Sequence, residues 1–478
     1  MMRPLRRAAL AALLVAAPAA ARAQGATRCN AVNTDSTRQF MVKTATGRYD
    51  TFVGGGVIVR CPEKKIDLRA DSMEQYGDQQ RFYLVGHVYY QEPRFTLHSD
   101  FLNYYANDER VVATGHVDAT MPNGSRLVGP NATYLRPIPV RRPLAQMSAD
   151  QRPTITLIQQ DSLGRPMPPM DVVADHVFMD GDSLVYAGGK VVMTRQEFVA
   201  NADSMFLDGR REVMYLYRDP RIEGKTKTRP FTLVGIRIDL FSRQRKLRRV
   251  VADGKAVATS QDITLHSDTI DLRVNNDVLE EAVAWGPHRA SAKSPADSLL
   301  ADSLDVLMPR QRVREIHAVG RAYAESKPDS VKFHTKEMDW LRGDTIIAYF
   351  DSVPARDTAS APKIRTLVAI DSASSYYNMA PRDTTLCVPA ISYAKGRRIT
   401  VTFDDKGVSN VDVLGQTMGL LAEPDTSAAN RCPVKKPDAK QPPDTSAARK
   451  GGGAPPAPRP HGGAGRPAPA ATLRHSRR

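Results

Sequence analysis

Residues 66–88 read IDLRADSMEQYGDQQRFYLVGHV, and residues 95–117 read FTLHSDFLNYYANDERVVATGHV. The two stretches share one skeleton: an apolar residue, two spacers, Ala-Asp or Ser-Asp, alternating apolar residues, a turn, then apolar-x-Gly-His-Val. Gly86 lies fifteen residues after Asp71, and Gly115 fifteen after Asp100. The Asp-centred half recurs at Ala70-Asp71, Ser99-Asp100, Ala174-Asp175, Ala202-Asp203, Ser267-Asp268 and Ala301-Asp302. Two residues after each Asp stand Met73, Leu102, Val177, Met205, Ile270 and Leu304. Three before it stand Leu68, Leu97, Val172, Ala200, Leu265 and Leu299. Period-two alternation on both sides of the Asp specifies short strands with one apolar face. The parity flips between them, so a bend or bulge at the Ala/Ser-Asp pair is needed to keep both apolar sets on one side.

The Gly-centred half recurs at Gly86-His87-Val88, Gly115-His116-Val117, Gly254-Lys255-Ala256 and Gly320-Arg321-Ala322. A glycine inside a strand pattern marks a sharp bend or a close backbone approach; its bare face is expected to point inward. Turn signals separate the halves: Tyr76-Gly77-Asp78, Asn107-Asp108-Glu109, Asp208-Gly209-Arg210 and Asn275-Asn276-Asp277. Arg342-Gly343-Asp344 also reads as a turn. No amphipathic helix of useful length is evident. The fold class expected is all-β: a twisted, partly open antiparallel β-jellyroll of repeated short kinked strands, in two or more consecutive segments.

Outside the repeats the N-terminus has the form of a secretory signal. Arg3, Arg6 and Arg7 precede the apolar run Ala8–Ala21, and Ala21-Arg22-Ala23 fits cleavage before Gln24. The run is too short for a membrane helix, which needs ~20 residues. The net charge is +15, but the tail from Pro433 to Arg478 holds ten Lys/Arg against two Asp, and the signal adds four arginines. The body is close to neutral, which argues against a nucleic-acid-binding core. The tail's Pro/Gly/Ala/Lys/Arg mixture cannot bury enough apolar surface to offset its conformational entropy, and disorder is expected there. The organisation expected is a signal peptide (1–23), an N-terminal strand segment (24–62) and a first jellyroll segment (63–136). A Pro-rich linker or insertion (137–170), a second jellyroll segment (171–290), a third (291–421) and a disordered basic tail (422–478) follow.

The cysteines are Cys29, Cys61, Cys387 and Cys432. An even count in an exported chain permits disulfides, with three pairings open. Sequence proximity favours Cys29–Cys61 and Cys387–Cys432. The chain has no Cys/His zinc spacing, no Gly-x-Ser-x-Gly elbow, no P-loop and no His-Glu-x-x-His. No catalytic residue, cofactor or metal is expected, and the reading is of a protein that is not an enzyme.

The Leu-x-x-Ala/Ser-Asp-x-apolar element, the Gly-x-Val element and their order over Ile66–Tyr134 resemble the OstA/LptA-like lipopolysaccharide-transport proteins. Weaker copies cover Val172 to about Phe350 and faint ones reach Leu414. The resemblance implies a slightly open β-jellyroll in the periplasm, associated there with the periphery of the outer or inner membrane. Its apolar interior shields acyl chains during transfer of lipopolysaccharide to the outer membrane. The partners it implies are lipopolysaccharide and other jellyroll proteins of the transport route, in the inner-membrane complex and the outer-membrane translocon. They are met by edge-strand pairing, with self-stacking as a further option; nucleic acid is not among them.

The physical logic stands apart from the resemblance. Acyl chains cannot cross water unaided, because burial is worth ~0.8 kcal/mol per CH₂. The side chains that share the inward parity are the candidate lipid-binding wall: Leu68, Met73, Phe82, Leu84, Val88, Phe95, Leu97, Leu102, Tyr104, Val111, Val117, Val177, Met179, Met205, Leu207, Leu265 and Ile270. The same residues could instead fill a dry core, in an exported structural, adhesive or carbohydrate-binding β-repeat protein. His87, His98, His116 and His266 are read as solvent-facing strand residues.

Overall fold

The computed structural model describes residues 30–32, 36–158, 164–165, 167–225, 231–260, 263–276, 278–328, 335–351, 363–404 and 407–432. The signal segment 1–23, Cys29 and the tail from residue 433 lie outside them. The described strands form one 28-stranded sheet in which every pairing is antiparallel; long strands pair with their neighbours in sequence, and where a strand is split in two its halves pair across intervening ones, as Gln146–Asp150 does with His176–Asp180 and Val213–Tyr217 with Arg237–Arg243. Beyond Arg431, where this compact unit ends, only Cys432 is described. Helix among the described residues is confined to the short 3-10 turns Pro62–Lys64, Pro309–Gln311 and Ala428–Asn430.

Nearly every long strand bends once, near its middle. Strand Arg81–Glu92 pairs with Phe95–Tyr105 through Val85↔Phe101 and then Val88↔Ser99, so Gly86 and His87 bulge opposite Asp100. The same slip separates Arg69 from Ser72, Thr114 from Val117, Gly188 from Val191, Asp253 from Ala256, Val319 from Ala322 and Ile370 from Ala373 along their pairings. Stacked side by side, these bulges make a spine that folds the sheet into a V. One limb, here limb I, holds strand halves such as Ser72–Val85 and Phe101–Thr114. The other, limb II, holds halves such as Val57–Arg69 and Val88–His98. Hairpin turns line the two free edges of the V, its mouth.

The bulges restore the parity that the sequence breaks. Leu68 and Met73, on either side of Asp71, are both buried, as are Leu97 and Leu102 around Asp100. The expected all-β antiparallel fold is the observed one.

Several expectations need correction. The bare face of the bend glycine does not point inward. A Cβ on Gly86 would run into the Asp71 carboxylate, and on Gly320 into that of Asp302; the Asp71 side chain is 62% exposed. Gly86 and His87 both have positive φ, 78° and 43°, a pair of left-handed residues that the tight bulge demands. Arg342-Gly343-Asp344 is a strand kink, not a turn. The Pro-rich stretch 137–170 is not a linker. It supplies strands Gln146–Asp150 and Thr154–Leu157, paired to Arg126–Leu135 on one side and to His176–Asp180 and Met170–Val173 on the other. Pairing is therefore continuous through the expected segment boundaries. The chain also stays ordered beyond residue 422: Leu386 bridges Arg431, and the Cys387 amide donates to the Asn430 carbonyl.

Candidate functional site: the interior of the V and its mouth

Two apolar faces meet inside the V. Every candidate inward residue is brought into this one interior. Leu84, Leu102, Val111, Val117 and Ile270 are wholly buried; Leu68, Met73, Val88, Phe95, Leu97, Tyr104, Val177, Met179, Met205, Leu207 and Leu265 are buried, and Phe82 is partly buried against them. The interior is graded along the chain. Val, Leu, Met and Ile fill most of its first half, with Tyr90, Phe95, Tyr104, Tyr134 and Phe198 among them. Alanines crowd the second, among them Ala252, Ala284, Ala292, Ala318, Ala348 and Ala369.

Limb I and limb II share backbone only at the spine among the described residues. Among the described residues, every backbone hydrogen bond outside the ladders joins turns of one limb or residues on the kink line. Side chains alone close the mouth, and over its first part they are polar. Glu92 of limb II, almost fully buried, accepts from Tyr90 (2.9 Å), Tyr134 (2.6 Å) and Arg136 Nε (2.7 Å). Arg136 of limb I also donates to Glu109 (2.9 Å), which accepts from Tyr104 (2.8 Å) and is paired with Lys64 of limb II. Arg94 and Asp182 form a second, more exposed bridge across the gap at 2.5 Å.

The network holds its charges firmly. Burial opposes the Arg136 cation, but Tyr90, Glu92 and Glu109 outweigh it and raise its pKa. Burial alone would raise the Glu109 carboxyl, yet hydrogen bonds from Lys64, Tyr104 and Arg136 bring it below its ordinary value. Burial, reinforced by Glu92, pushes the Tyr90 and Tyr134 hydroxyls up. Only Tyr104 of this group was in the expected site. A glutamate and an arginine from strands far apart in sequence carry no periodicity that would announce them as partners.

Further along, the mouth changes character. Between Leu157, Met170 and Phe198 of limb II and Leu207, Met214, Leu240 and Leu247 of limb I lies a narrow cleft, open to solvent on one side, whose free space of about 30 Å³ holds little more than a water molecule.

On the outside, the spine carries a file of Asp–His and Asp–Arg pairs. Asp71 meets His87 at 2.8 Å, Asp100 meets His116 at 2.7 Å, Asp268 meets His288 at 3.0 Å and Asp302 meets Arg321 at 2.6 Å. The Asp71 hydrogen bond raises the His87 pKa. Hydrogen bonds from the His288 amide and ring lower Asp268, and those from Arg321 lower Asp302. Cys61, Cys387 and Cys432 are all disulfide-bonded, and no described cysteine is a free thiol.

Among the described residues, the sheet ends in two unpaired edges. Arg38–Lys43 is exposed along its whole length, including Phe40, Met41 and Val42. At the other end, Gly407–Leu414 and Met418–Ala422 expose Leu414, Met418, Leu420 and Leu421. No family model matches this chain, and no curated protein matches it.

Proposed function

We propose that the protein is a periplasmic carrier of lipopolysaccharide, which holds acyl chains between the two limbs of the V during transfer to the outer membrane. The observation that carries this reading is the architecture of the mouth. The apolar faces of the limbs are joined by covalent and hydrogen-bonded backbone on one side and by side chains alone on the other. Limbs so joined can part without breaking a ladder hydrogen bond. Each buried CH₂ of an incoming chain then replaces an apolar contact that the parting removes, at ~0.8 kcal/mol per CH₂. The sugar-phosphate head stays in water at the mouth.

The exposed apolar edges support the second half of the reading. An unprotected edge strand is a template for pairing, and β-augmentation by another jellyroll, or by a second copy, would continue the interior from one molecule into the next. The bare edge strands Arg38–Lys43 and Met418–Ala422 suit this.

The test is photo-crosslinking. With a benzophenone amino acid at Leu84 or Leu102, the purified exported protein is expected to crosslink to lipopolysaccharide, whereas the outward positions Tyr83 and Asn103 are not. Absence of crosslinks from both inward sites, beside a working control carrier, would favour a dry-core structural or carbohydrate-binding β-repeat protein. Circular dichroism of each variant establishes that it is folded.

A further inference from the structure

The cleft between residues 157 and 247 differs from the rest of the mouth in two respects. Its apolar side chains come from both limbs and lie beside Arg195, Glu212, Ser242 and Arg245. Leu157, Met170 and Phe198 face Leu207, Met214 and Leu240 with no buried ion pair between them, whereas the mouth near Glu92 is closed by a buried, fully hydrogen-bonded carboxylate. Its rim is basic. The limb I turns Gly209–Glu212 and Gln244-Arg245, with their flanks, bring Arg210, Arg211, Arg243 and Lys246 to the surface, and Arg195 and Arg245 line the cleft itself. The neighbouring carboxylates are fewer and already engaged. Asp208 accepts from the amides of Arg210 and Arg211 at 2.9 and 3.0 Å, Glu212 lies 3.8 Å from Arg245, and Glu197 lies 3.6 Å from Arg195.

An apolar seam with exposed cations on the adjoining limb I turns matches one kind of ligand: an amphiphile with hydrocarbon chains and an anionic head. Arginine is suited to phosphate because its planar fork can bind two oxygens at once. We propose that this cleft is the portal through which the acyl chains of a phosphate-bearing lipid enter the interior, its phosphates held by Arg210, Arg243, Lys246 and their neighbours. The proposal rests on the carrier reading above and adds a location and a head-group chemistry to it. Entering at the Glu92 stretch would unpair a buried carboxylate from Arg136 and Tyr134; entering at the cleft breaks no comparable group.

The experiment places the benzophenone probe at Val213, which lines the cleft, and separately at Leu84, deep in the first half. Both are challenged with lipopolysaccharide, in the parent chain and in the double variant R210E/R243E, whose targets are exposed turn residues. Crosslinking at Val213 is expected to appear first and at Leu84 later. In the double variant both yields are expected to fall roughly tenfold or more, from the loss and reversal of two surface cations near the phosphates. Fully deacylated lipopolysaccharide and inorganic phosphate are expected to compete poorly, since neither offers a chain to the cleft. Normal crosslinking at Leu84 in R210E/R243E would overturn the portal while leaving the carrier standing. Competition by inorganic phosphate as strong as by the intact lipid would overturn it too, in favour of a plain anion site. Absence of crosslinks from both positions in the parent chain would remove the carrier reading itself.

Discussion

A glycine and an aspartate on neighbouring strands set the curvature of this sheet. Gly86 must have positive φ, and the space where its Cβ would stand is filled by the Asp71 carboxylate. Gly86→Ala meets both obstacles, and a loss of about 1–3 kcal/mol is expected in urea unfolding. Gly47 offers the comparison: its φ is +84°, but a Cβ there meets nothing within 4 Å. Gly47→Ala should therefore cost less, and equal losses would mean that the Asp contact contributes nothing. The fifteen-residue spacing of Asp71 and Gly86 was legible in the sequence. Their facing each other was not, because the bulge decides which residues end up opposite.

The Glu109 carboxyl has a consequence for pH at the same scale. Its folded pKa lies below the ordinary value of 4.5, so the stability it contributes is present above pH 4.5 and is lost as pH falls through the lower folded value. Glu109→Gln should remove that part of the acid dependence: thermal unfolding between pH 6 and 3 is expected to show a shallower fall in Tm than in the parent. An unchanged slope would mean that Lys64, Tyr104 and Arg136 do not hold the charge as described. Glu92 is the costlier position. Glu92→Ala leaves the Tyr90 and Tyr134 hydroxyls and Arg136 Nε without their buried acceptor, while Arg136 keeps Glu109, and is expected to lose about 3 kcal/mol, read by the same unfolding curves.

At the scale of elements, strands are held in register by more than the ladder. On the outer face of limb I, Phe178, Tyr186, Phe206 and Tyr215 lie directly opposite one another on successive strands, with ring centroids 5.9, 4.7 and 6.0 Å apart. Arg237 covers the last ring at 4.8 Å. Cross-strand aromatic pairs contribute about 0.5–1.5 kcal/mol beyond their burial. A double-mutant cycle on Tyr186→Ala and Phe206→Ala should return a coupling of that size, and a coupling near zero would reduce the row to coincidence. The inward alternation that builds these strands was readable from the Asp repeats. The strands of 137–170 were hidden, although Met147 and Ala149, and Ile155 and Leu157, alternate correctly. Proline count concealed them, because Pro153 falls at the break between the half-strands Gln146–Asp150 and Thr154–Leu157, where it removes no ladder hydrogen bond.

At the scale of the whole sheet, the carrier and portal readings share one mechanical premise: the limbs separate at the mouth while the spine holds. The inward wall itself could be read from sequence, since parity assigns each strand residue to a face. The mouth could not, because its contacts join hairpin turns such as Pro62–Lys65 and Ala106–Glu109, whose proximity follows from the V and not from any local pattern. The bridge between Arg94 and Asp182 allows the premise to be tested. In R94C/D182C, a short bismaleimide joins the two turns across the gap, while the described native cysteines are already held in disulfides. The clamp should leave the fold intact, with Tm equal or higher. If hydrocarbon enters at the cleft and spreads towards the first half, crosslinking of lipopolysaccharide at Val213 should persist in the clamped protein while crosslinking at Leu84 is lost. Adding the two cysteines without the linker should restore it. Equal loading at Leu84 with the clamp closed would mean that the limbs need not part there, and the interior of the V would then be a core rather than a passage.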